Sequence, residues 1–183
     1  YLAMMQKFQL KGASKIISVS NATKLDLMKK IGIKEEKIKV IYEGYEKKLF
    51  KPVNNDLLVN SLRQFKLVSQ KYFLFVGTVQ PRKNLERVIR AFKAYQSFGD
   101  AQLVVVGQKG WMSEQIYHLP IELGIADAVK FLGYVPQKDL PSLYSGAEAL
   151  LFPSLFEGFG LPIIEAQVCG CPVITSNISS MPE

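Results

Sequence analysis

Residues 153–165 read Pro153-Ser154-Leu155-Phe156-Glu157-Gly158-Phe159-Gly160-Leu161-Pro162-Ile163-Ile164-Glu165. Two glutamates, Glu157 and Glu165, are separated by seven residues, and Glu157 lies in a glycine-rich turn that leads into an apolar helix start. Backbone N–H groups at such a turn and helix start bind anions, and carboxylates accept hydrogen bonds from hydroxyl groups. Anion donors beside hydroxyl acceptors suit a sugar phosphate or a nucleotide sugar.

An apolar, strand-like run precedes this segment, and the chain from residue 72 onward alternates such runs with helical patterns. We predict strands at 72–76, 102–106, 129–132, 147–152 and 172–175, and helices at 84–98, 113–123, 140–145 and 161–169. Strands that alternate with helices, without hairpin turns between them, indicate a parallel sheet covered on both faces. The predicted fold class is therefore α/β, with a Rossmann-like, doubly wound parallel sheet.

The first part of the chain has shorter elements. We predict strands at 14–20 and 37–42, and a helix at 56–65 within a linker that spans 44–70. A helix between the two strands begins after Ser20 or Asn21, either of which can cap it, and ends at Gly32.

The net charge of +7 is unevenly distributed. Residues 1–52 contain twelve lysines and five acidic residues, whereas positive and negative side chains balance in residues 53–183. We interpret the basic part as a lysine-rich solvated face; the alternative is a peripheral contact with an anionic membrane surface or acceptor. Nucleic acid is disfavoured as a partner, because basic and aromatic residues do not interleave.

Cysteine usage and the short apolar runs indicate a cytoplasmic protein. If it contacts a membrane, we expect a peripheral contact at the inner face of that membrane. Apolar runs stay well short of the ~20 residues of a membrane span, and a signal-peptide pattern is absent. Cys169 and Cys171 are too close in sequence for a structural disulfide, so we expect small buried thiols in a reducing compartment. The chain begins with Tyr1, and we expect it to be a piece of a longer protein.

The loops that follow the predicted strands point to one edge of the sheet. In a parallel α/β sheet, ligands bind beyond the carboxyl ends of the strands. Residues 77–84, 107–111, 133–136 and 153–160 all follow strands directly. We therefore expect these four loops to converge on a ligand site.

The 153–165 segment resembles the E-x7-E signature of retaining glycosyltransferases of family 4, also called glycosyl transferases group 1. The resemblance runs from about residue 14 to the end of the chain. Further blocks in the family's order are Phe75-Val76-Gly77-Thr78 with Pro81-Arg82-Lys83-Asn84-Leu85, Leu103-Val104-Val105-Val106-Gly107, Phe131-Leu132-Gly133-Tyr134-Val135, residues 166–177 and Met181-Pro182-Glu183.

This resemblance implies the C-terminal, nucleotide-sugar-binding half of a GT-B enzyme. Residues 1–45 then correspond to the end of the N-terminal acceptor domain and the interdomain linker. Residues 46–183 correspond to the donor domain, which we expect to be incomplete at its C-terminus.

The resemblance also implies roles for charged residues. Arg82 and Lys83 match the pair that stabilises the leaving diphosphate, and Glu157 matches the residue that faces the transferred sugar; we regard these three as catalytic. Glu165 matches the residue that binds the ribose hydroxyls. The alternatives are solvated loop charges for Arg82 and Lys83, a turn-capping carboxylate for Glu157, and an exposed acid at a helix start for Glu165.

The remaining donor-binding residues are small or apolar. By the same resemblance, backbone N–H groups of four residues contact sugar or phosphate oxygens: Gly158, Phe159, Gly160 and Leu161. Gly77 permits close approach of the backbone to the ligand, and Tyr134 and Val135 lie beside the nucleotide base. The alternative for these residues is ordinary turn geometry and packing. We interpret Lys109 as a surface lysine and His118 as structural or exposed.

The resemblance implies an enzyme that transfers a hexose from a nucleotide-sugar donor to a glycan or lipid-linked acceptor, with retention, in polysaccharide biosynthesis. An Asp-x-Asp motif is absent, so neither a metal nor another cofactor is expected. One alternative is a nucleotide-sugar-binding module without transferase activity. Another is a nucleotide-sugar 2-epimerase on the same fold.

Overall fold

The computed structural model describes residues 8–183, which divide into two compact units. Of the described residues, the first unit contains 8–44, 156–160 and 177–183, and the second contains 45–155 and 161–176. The first division between the units falls between residues 44 and 45, and two later segments also belong to the first unit. Residues 1–7 of the predicted acceptor-domain segment lie outside the described residues. Its assignment to an acceptor domain stays a prediction.

The first unit contains a two-stranded parallel sheet of β1 (Ile16–Ser18) and β2 (Ile38–Val40). Helix α1 (Asn21–Asp26) begins after Ser20, whose hydroxyl accepts a hydrogen bond from the Thr23 N–H, as the sequence predicted. The helix continues as a π-helical turn, Leu27–Ile31, and a 3₁₀ turn, Glu35–Lys37, follows; residues 8–12 are also helical. Gly32 ends the π-helical turn in the left-handed conformation, with φ of 78°. Both strands are shorter than predicted.

The second unit contains a five-stranded sheet in which every paired strand is parallel. Its strands are β3 (Tyr72–Val76), β4 (Gln102–Val106), β5 (Val129–Gly133), β6 (Ala149–Phe152) and β7 (Val173–Thr175). Their spatial order is β5-β4-β3-β6-β7. The chain thus starts at the central strand, builds one half of the sheet outward, and returns to β6 to build the other half.

Helices cover both faces of this sheet, which confirms the predicted doubly wound fold. They are α2 (Asn55–Arg63), α3 (Leu85–Tyr95), α4 (Glu114–Glu122), α5 (Leu140–Gly146) and α6 (Leu161–Val168). Helices α3 and α4 pack on one face, where Phe75, Leu103 and Val105 join the apolar cluster of the helices. On the opposite face, the Tyr72 hydroxyl donates a 2.7 Å hydrogen bond to the Leu143 carbonyl in α5.

Burial on both faces explains why the central strands are apolar throughout. In β3, four of five side chains are buried, and only Phe73 is partly exposed. Strands whose successive side chains point to opposite faces can be this apolar only when both faces are covered. The predicted limits of β3 and β4 are those observed. The predicted helix 84–98 ends at Tyr95 because residues 96–98 close a turn instead.

Candidate functional site

The sheet order reverses between β3 and β6, which are neighbours at its centre. A reversal of this kind leaves a crevice at the carboxyl ends of the two strands, because the chain leaves them in opposite directions. The loop after β3, residues 77–84, and the start of the loop after β6, residues 153–155, lie at this position. The candidate site of the second unit is therefore built around these two loops.

Two hydrogen bonds join these loops. The Leu155 N–H donates to the Arg82 carbonyl at 2.9 Å, and the Asn84 side-chain amide donates to the Pro153 carbonyl at 3.0 Å. Asn84 has a left-handed backbone, with φ of 60° and ψ of 27°, which asparagine tolerates better than most residues. The 3₁₀ turn Pro81–Lys83 is consequently fixed at two points, the carbonyl of Arg82 within the turn and the side chain of Asn84 directly after it.

Lys83 is a buried cation in this turn. Its side chain is only 9% exposed, and Nζ lies 4.7 Å from the ring centroid of Phe152, the last residue of β6. The Lys83 side chain packs against the backbone of Gly77, since a Cβ at position 77 would lie 3.4 Å from Cε of Lys83, at van der Waals contact. Arg82 is half-buried. Lys83 is therefore not a solvated loop charge, and it lies where the sequence predicted an anion site.

Three glycines lie at the carboxyl ends of neighbouring strands: Gly77 and Gly107 directly follow β3 and β4, and Gly133 is the last residue of β5. The Gly77 N–H donates to the Val106 carbonyl at 2.9 Å, and the Gly107 N–H donates to the Gly133 carbonyl at 2.8 Å. A Cβ at position 107 would fall 2.0 Å from the Gly77 carbonyl oxygen, so the two backbones can be this close only with glycine. We call Gly77, Gly107 and Gly133 the glycine row. Because these residues lack side chains, the row presents main-chain atoms at the carboxyl edge of the sheet.

A cleft of about 300 Å³ opens beside the glycine row. It is lined by Val76, Gly77, Thr78, Val106, Gly107, Gln108, Tyr134, Val135 and Leu140. Three residues that the sequence singled out, Gly77, Tyr134 and Val135, therefore lie together. Val135 is buried in the wall, whereas Tyr134 is 68% exposed and can cover a flat ligand. The volume is at the lower end of the range for small-molecule sites.

Glu165 lies in α6 and faces α5 rather than open solvent. The hydroxyl of Tyr144, a fully buried residue, donates a 2.9 Å hydrogen bond to its Oε2. Burial raises the pKa of Glu165, and the hydrogen bond from Tyr144 lowers it in part. Glu165 is therefore a half-buried, oriented acceptor rather than an exposed helix-start acid. Sequence reasoning missed Tyr144, which falls in a short helix without any motif.

Glu157 belongs to the first unit, where it is 8% exposed. Its backbone N–H donates to Ser179 Oγ at 3.2 Å, and its carbonyl accepts from the hydroxyls of Ser179 at 2.7 Å and Ser180 at 3.0 Å. The Ser180 hydroxyl also lies 3.0 Å from the carbonyl of Phe159. Two serines thus fix the turn, and sequence reasoning missed both. Gly158 is exposed, and its carbonyl accepts from the Thr23 hydroxyl at 3.4 Å.

Ser154 was also missed as an individual residue. It follows β6 directly, and its Oγ is buried with no hydrogen-bond partner within residues 8–183. Its carbonyl accepts a 2.7 Å hydrogen bond from the Ser176 hydroxyl. Buried hydroxyls without a partner are uncommon in folded proteins, and many of those that occur are completed by a ligand or a water.

Several polar residues lie outside the site. His118 is exposed on α4, and Lys109 forms a salt bridge with Glu114. Cys169 and Cys171 are buried free thiols, as predicted, and burial raises the pKa of each to about 11. Within residues 8–183, acidic, histidine and cysteine side chains do not cluster in the threes that a metal ion requires. None of the helices in that range has the length and apolar composition of a membrane span.

The five-stranded parallel sheet, wound in both directions from β3, matches the C-terminal domains of GT-B glycosyltransferases. Sucrose-phosphate synthase from Thermosynechococcus elongatus superposes with a TM-score of 0.83 and 29% identity over 97% of this chain and 44% of its own. HepE from Anabaena, solved in complex with UDP-glucose, superposes with a TM-score of 0.84 and 25% identity over 98% of this chain and 49% of its own. The fold of this chain is thus that of a GT-B C-terminal domain.

Sequence relatives narrow this class to a family. Residues 59–183 match the sequence profile of the family described as Glycosyl transferases group 1, and the chain belongs to that family. It is 40% identical to O-antigen chain mannosyltransferase B of Escherichia coli over 125 residues, which are 67% of this chain. It is 32% identical to O-antigen chain mannosyltransferase RfbU of Salmonella typhimurium over 178 residues, which are 97% of this chain. The chain spans 32% and 46% of the length of these two relatives.

Proposed function

We propose that the chain is the donor-binding part of a retaining hexosyltransferase that uses a nucleotide-activated sugar. Membership in the group 1 family supports transfer of a sugar. Two O-antigen mannosyltransferases among the relatives support mannose as that sugar and polysaccharide biosynthesis as the process. The single observation that carries the proposal is the buried Lys83 at the reversal of strand order, next to Gly77, which lines the cleft.

The proposed task of Arg82 and Lys83 is to stabilise the departing nucleoside diphosphate. Negative charge grows on the leaving oxygen as the bond from sugar C1 breaks, and fixed cations at that position lower the barrier. Lys83 suits this role because its ammonium is held in a protected environment over Phe152, where charges interact more strongly than in water. Because the cationic side chains are already in position, they need not reorganise as the transition state forms.

The remaining contacts follow the parts of the donor. In our proposal the base occupies the cleft beside Tyr134 and Val135, and Glu165 accepts hydrogen bonds from the ribose hydroxyls. Glu157 faces the transferred sugar. Backbone N–H groups at positions 158–161 contact sugar or phosphate oxygens, as family resemblance implies. Hydroxyl groups are good donors to carboxylates, and carboxylates accept through both oxygens.

The proposed reaction needs neither a metal ion nor another cofactor, since cationic side chains neutralise the diphosphate. The acceptor hydroxyl attacks C1 on the face from which the diphosphate leaves, so the anomeric configuration is retained. A new C1–O bond forms, the C1–O bond to phosphate breaks, and the acceptor proton moves to the leaving phosphate oxygen. The acceptor is proposed to be a glycan or a lipid-linked acceptor at the cytoplasmic face of the membrane, where the basic N-terminal part would contact anionic lipid.

Nucleotide binding by the chain is the first test. Thermal stabilisation and calorimetry would compare UDP, GDP and ADP with their sugar conjugates, including GDP-mannose and UDP-glucose, with and without EDTA. We expect one nucleotide to bind selectively, and EDTA to leave its affinity unchanged. Loss of binding in EDTA would contradict the metal-free proposal. If a folded chain binds none of these ligands, the donor-site assignment is wrong.

Substitution of the cations tests the catalytic role. Lys83→Met keeps most of the buried side-chain volume and removes the charge, and Arg82→Gln does the same for the half-buried neighbour. In the full-length protein, we expect the kcat of the double variant to be more than about 100-fold lower than that of wild type. Lys109→Met, which removes a surface lysine paired with Glu114, is the matched control. Transfer within a few-fold of wild type by the double variant would refute the assignment.

Two alternatives remain distinguishable by their products. The chain spans less than half of its relatives' length, which favours binding without transfer for this chain taken alone. A nucleotide-sugar 2-epimerase would instead convert the donor to its 2-epimer without any acceptor. Product analysis of the full-length protein, with and without acceptor glycan, separates transfer from epimerisation.

A further inference from the structure

Helix α5 is fixed by three consecutive residues. The Leu143 carbonyl accepts a 2.7 Å hydrogen bond from the Tyr72 hydroxyl, and the Tyr144 hydroxyl donates a 2.9 Å hydrogen bond to Glu165. The Ser145 hydroxyl accepts a hydrogen bond from the Val53 N–H at 3.1 Å and donates to the carbonyl of Cys169, the residue that follows α6, at 3.2 Å. Helix α5 is therefore attached to the sheet, to the segment before α2 and to α6.

Tyr144 is rigidly placed within this arrangement. Its side chain is fully buried, and its ring packs against Phe50 with centroids 6.2 Å apart and planes inclined by 56°. A buried hydroxyl that loses its partner costs free energy, so the bond to Glu165 is maintained in the folded protein. The bond uses Oε2 of Glu165, and a carboxylate offers roughly four acceptor positions in all. Acceptor capacity therefore remains for a ligand.

We propose that Tyr144 is a positioning residue, which holds the Glu165 carboxylate in the orientation that accepts hydrogen bonds from the ribose of the nucleotide. This inference rests on the proposed function, because it assumes that Glu165 binds ribose. Tyr144 itself does not touch the ligand in this proposal.

The location of α5 supports this role. Its first residue, Leu140, lines the cleft in which we place the base, and Tyr144 follows one helical turn later. One rigid helix thus contributes a wall for the base and the hydrogen bond that orients Glu165. Base and ribose are adjacent parts of one ligand, so a shared support keeps the two contacts at a fixed spacing.

The hydroxyl also affects the charge of Glu165. Burial raises the pKa of Glu165, and the hydrogen bond from Tyr144 opposes that effect. Cys169 also interacts with Glu165, but burial raises the pKa of this thiol to about 11, so it is neutral at physiological pH. Removal of the hydroxyl should therefore raise the pKa of Glu165 further and reduce the ionised form that accepts hydrogen bonds.

The test removes only the hydroxyl. Calorimetry would measure the affinity of wild type and Tyr144→Phe for the nucleoside diphosphate that binds the chain, between pH 5 and 8. We expect about tenfold weaker binding at pH 8, since a hydrogen bond to a charged group is lost. We also expect the pH below which affinity declines to move upward. The variant should discriminate less than wild type between that nucleotide and its 2′-deoxy and 3′-deoxy analogues.

Two controls separate positioning from general loosening. Tyr72→Phe removes another buried hydroxyl that bonds to α5 but not to Glu165, and we expect lower stability with an unchanged pH profile. The inference would be overturned if the pH profile of affinity shifted equally in both variants, or if it did not shift in Tyr144→Phe. If Tyr144→Phe does not fold, 3-fluorotyrosine at position 144 retains the volume and donates more strongly, and we expect the pH profile to move downward; an unmoved profile is then the contrary result.

Failure of this inference differs from failure of the proposed function. If wild type binds no nucleotide, or if Glu165→Gln leaves affinity unchanged, the donor-site proposal itself is wrong. If wild type binds and Glu165→Gln weakens binding, but Tyr144→Phe alters neither the pH profile nor the ribose preference, then only the role of Tyr144 is wrong.

Discussion

The side-chain amide of Asn84 donates a 3.0 Å hydrogen bond to the carbonyl of Pro153. This bond connects the loop that carries Arg82 and Lys83 to the loop that follows β6. Asn84 combines this contact with a left-handed backbone, so one residue has both a conformational and a bonding role. The two roles can be separated by substitution.

Asn84→Ala should lower the free energy of unfolding by about 2 kcal/mol, because alanine loses the hydrogen bond and is strained in the left-handed region. Asn84→Gly loses the bond but accepts the backbone, and should be about 1 kcal/mol more stable than the alanine variant. Urea denaturation measures both values. Equal stability of the two variants would show that the backbone conformation at position 84 carries no cost.

Gly107→Ala should be strongly destabilising, by more than about 3 kcal/mol, because the new Cβ has nowhere to go. The Cβ would fall 2.0 Å from the carbonyl oxygen of Gly77, and this oxygen belongs to the backbone, so it cannot rotate away as a side chain could. Gly124→Ala is the matched control, since its φ is also positive, at 66°, but the space around it is open. We expect a cost of only about 1–2 kcal/mol there. Thermal unfolding of the two variants that gave equal losses would contradict the close approach at Gly107.

Ser154→Ala should leave stability unchanged or raise it by about 1 kcal/mol, since it removes a buried hydroxyl without a partner. Ser176→Ala should instead lower stability by about 1 kcal/mol, because the bond from its hydroxyl to the Ser154 carbonyl is lost. Chemical denaturation without ligand measures both effects. A clear loss of stability in Ser154→Ala would indicate a bound water or another partner of its hydroxyl.

Glu165 should affect stability in the direction opposite to that of a salt-bridged acid. Burial raises its folded-state pKa above the unfolded value. Its favourable contribution is therefore complete below the unfolded pKa and declines as pH rises through the folded pKa. Relative to Glu165→Gln, which does not titrate, wild type should be at its most stable near pH 4 and lose ground toward pH 7. Denaturation of both proteins across this range measures the difference; a difference that grows in favour of wild type with rising pH would contradict the buried environment.

Much of the fold could be predicted because it depends on local patterns. The apolar runs of β3 and β4 and the helical spacing between them define elements, and their alternation predicts parallel pairing. The strands of the first unit were overestimated, since only Ile16–Ser18 and Ile38–Val40 pair and the ends of the predicted runs lie outside this ladder. The order of the strands depends on long-range packing and was not predicted.

The candidate site was predictable only where a motif or a strand end marks a residue. Gly77, Tyr134 and Val135 line one cleft, as loops at strand ends predict. Burial of Lys83 was not foreseen, because a basic loop residue is usually solvated. The contact between Tyr144 and Glu165 joins two helices 21 residues apart in sequence, and neither helix shows a periodic signal for it.

The glycine row has an implication for how such proteins diverge. Main-chain atoms are the same in every sequence, so substitutions cannot easily alter the chemistry that Gly77, Gly107 and Gly133 present. Variation is left to the rim of the cleft, at residues such as Gln108 and Tyr134. Laboratory evolution of ligand preference in this chain should therefore accumulate changes at the rim while the row itself is retained.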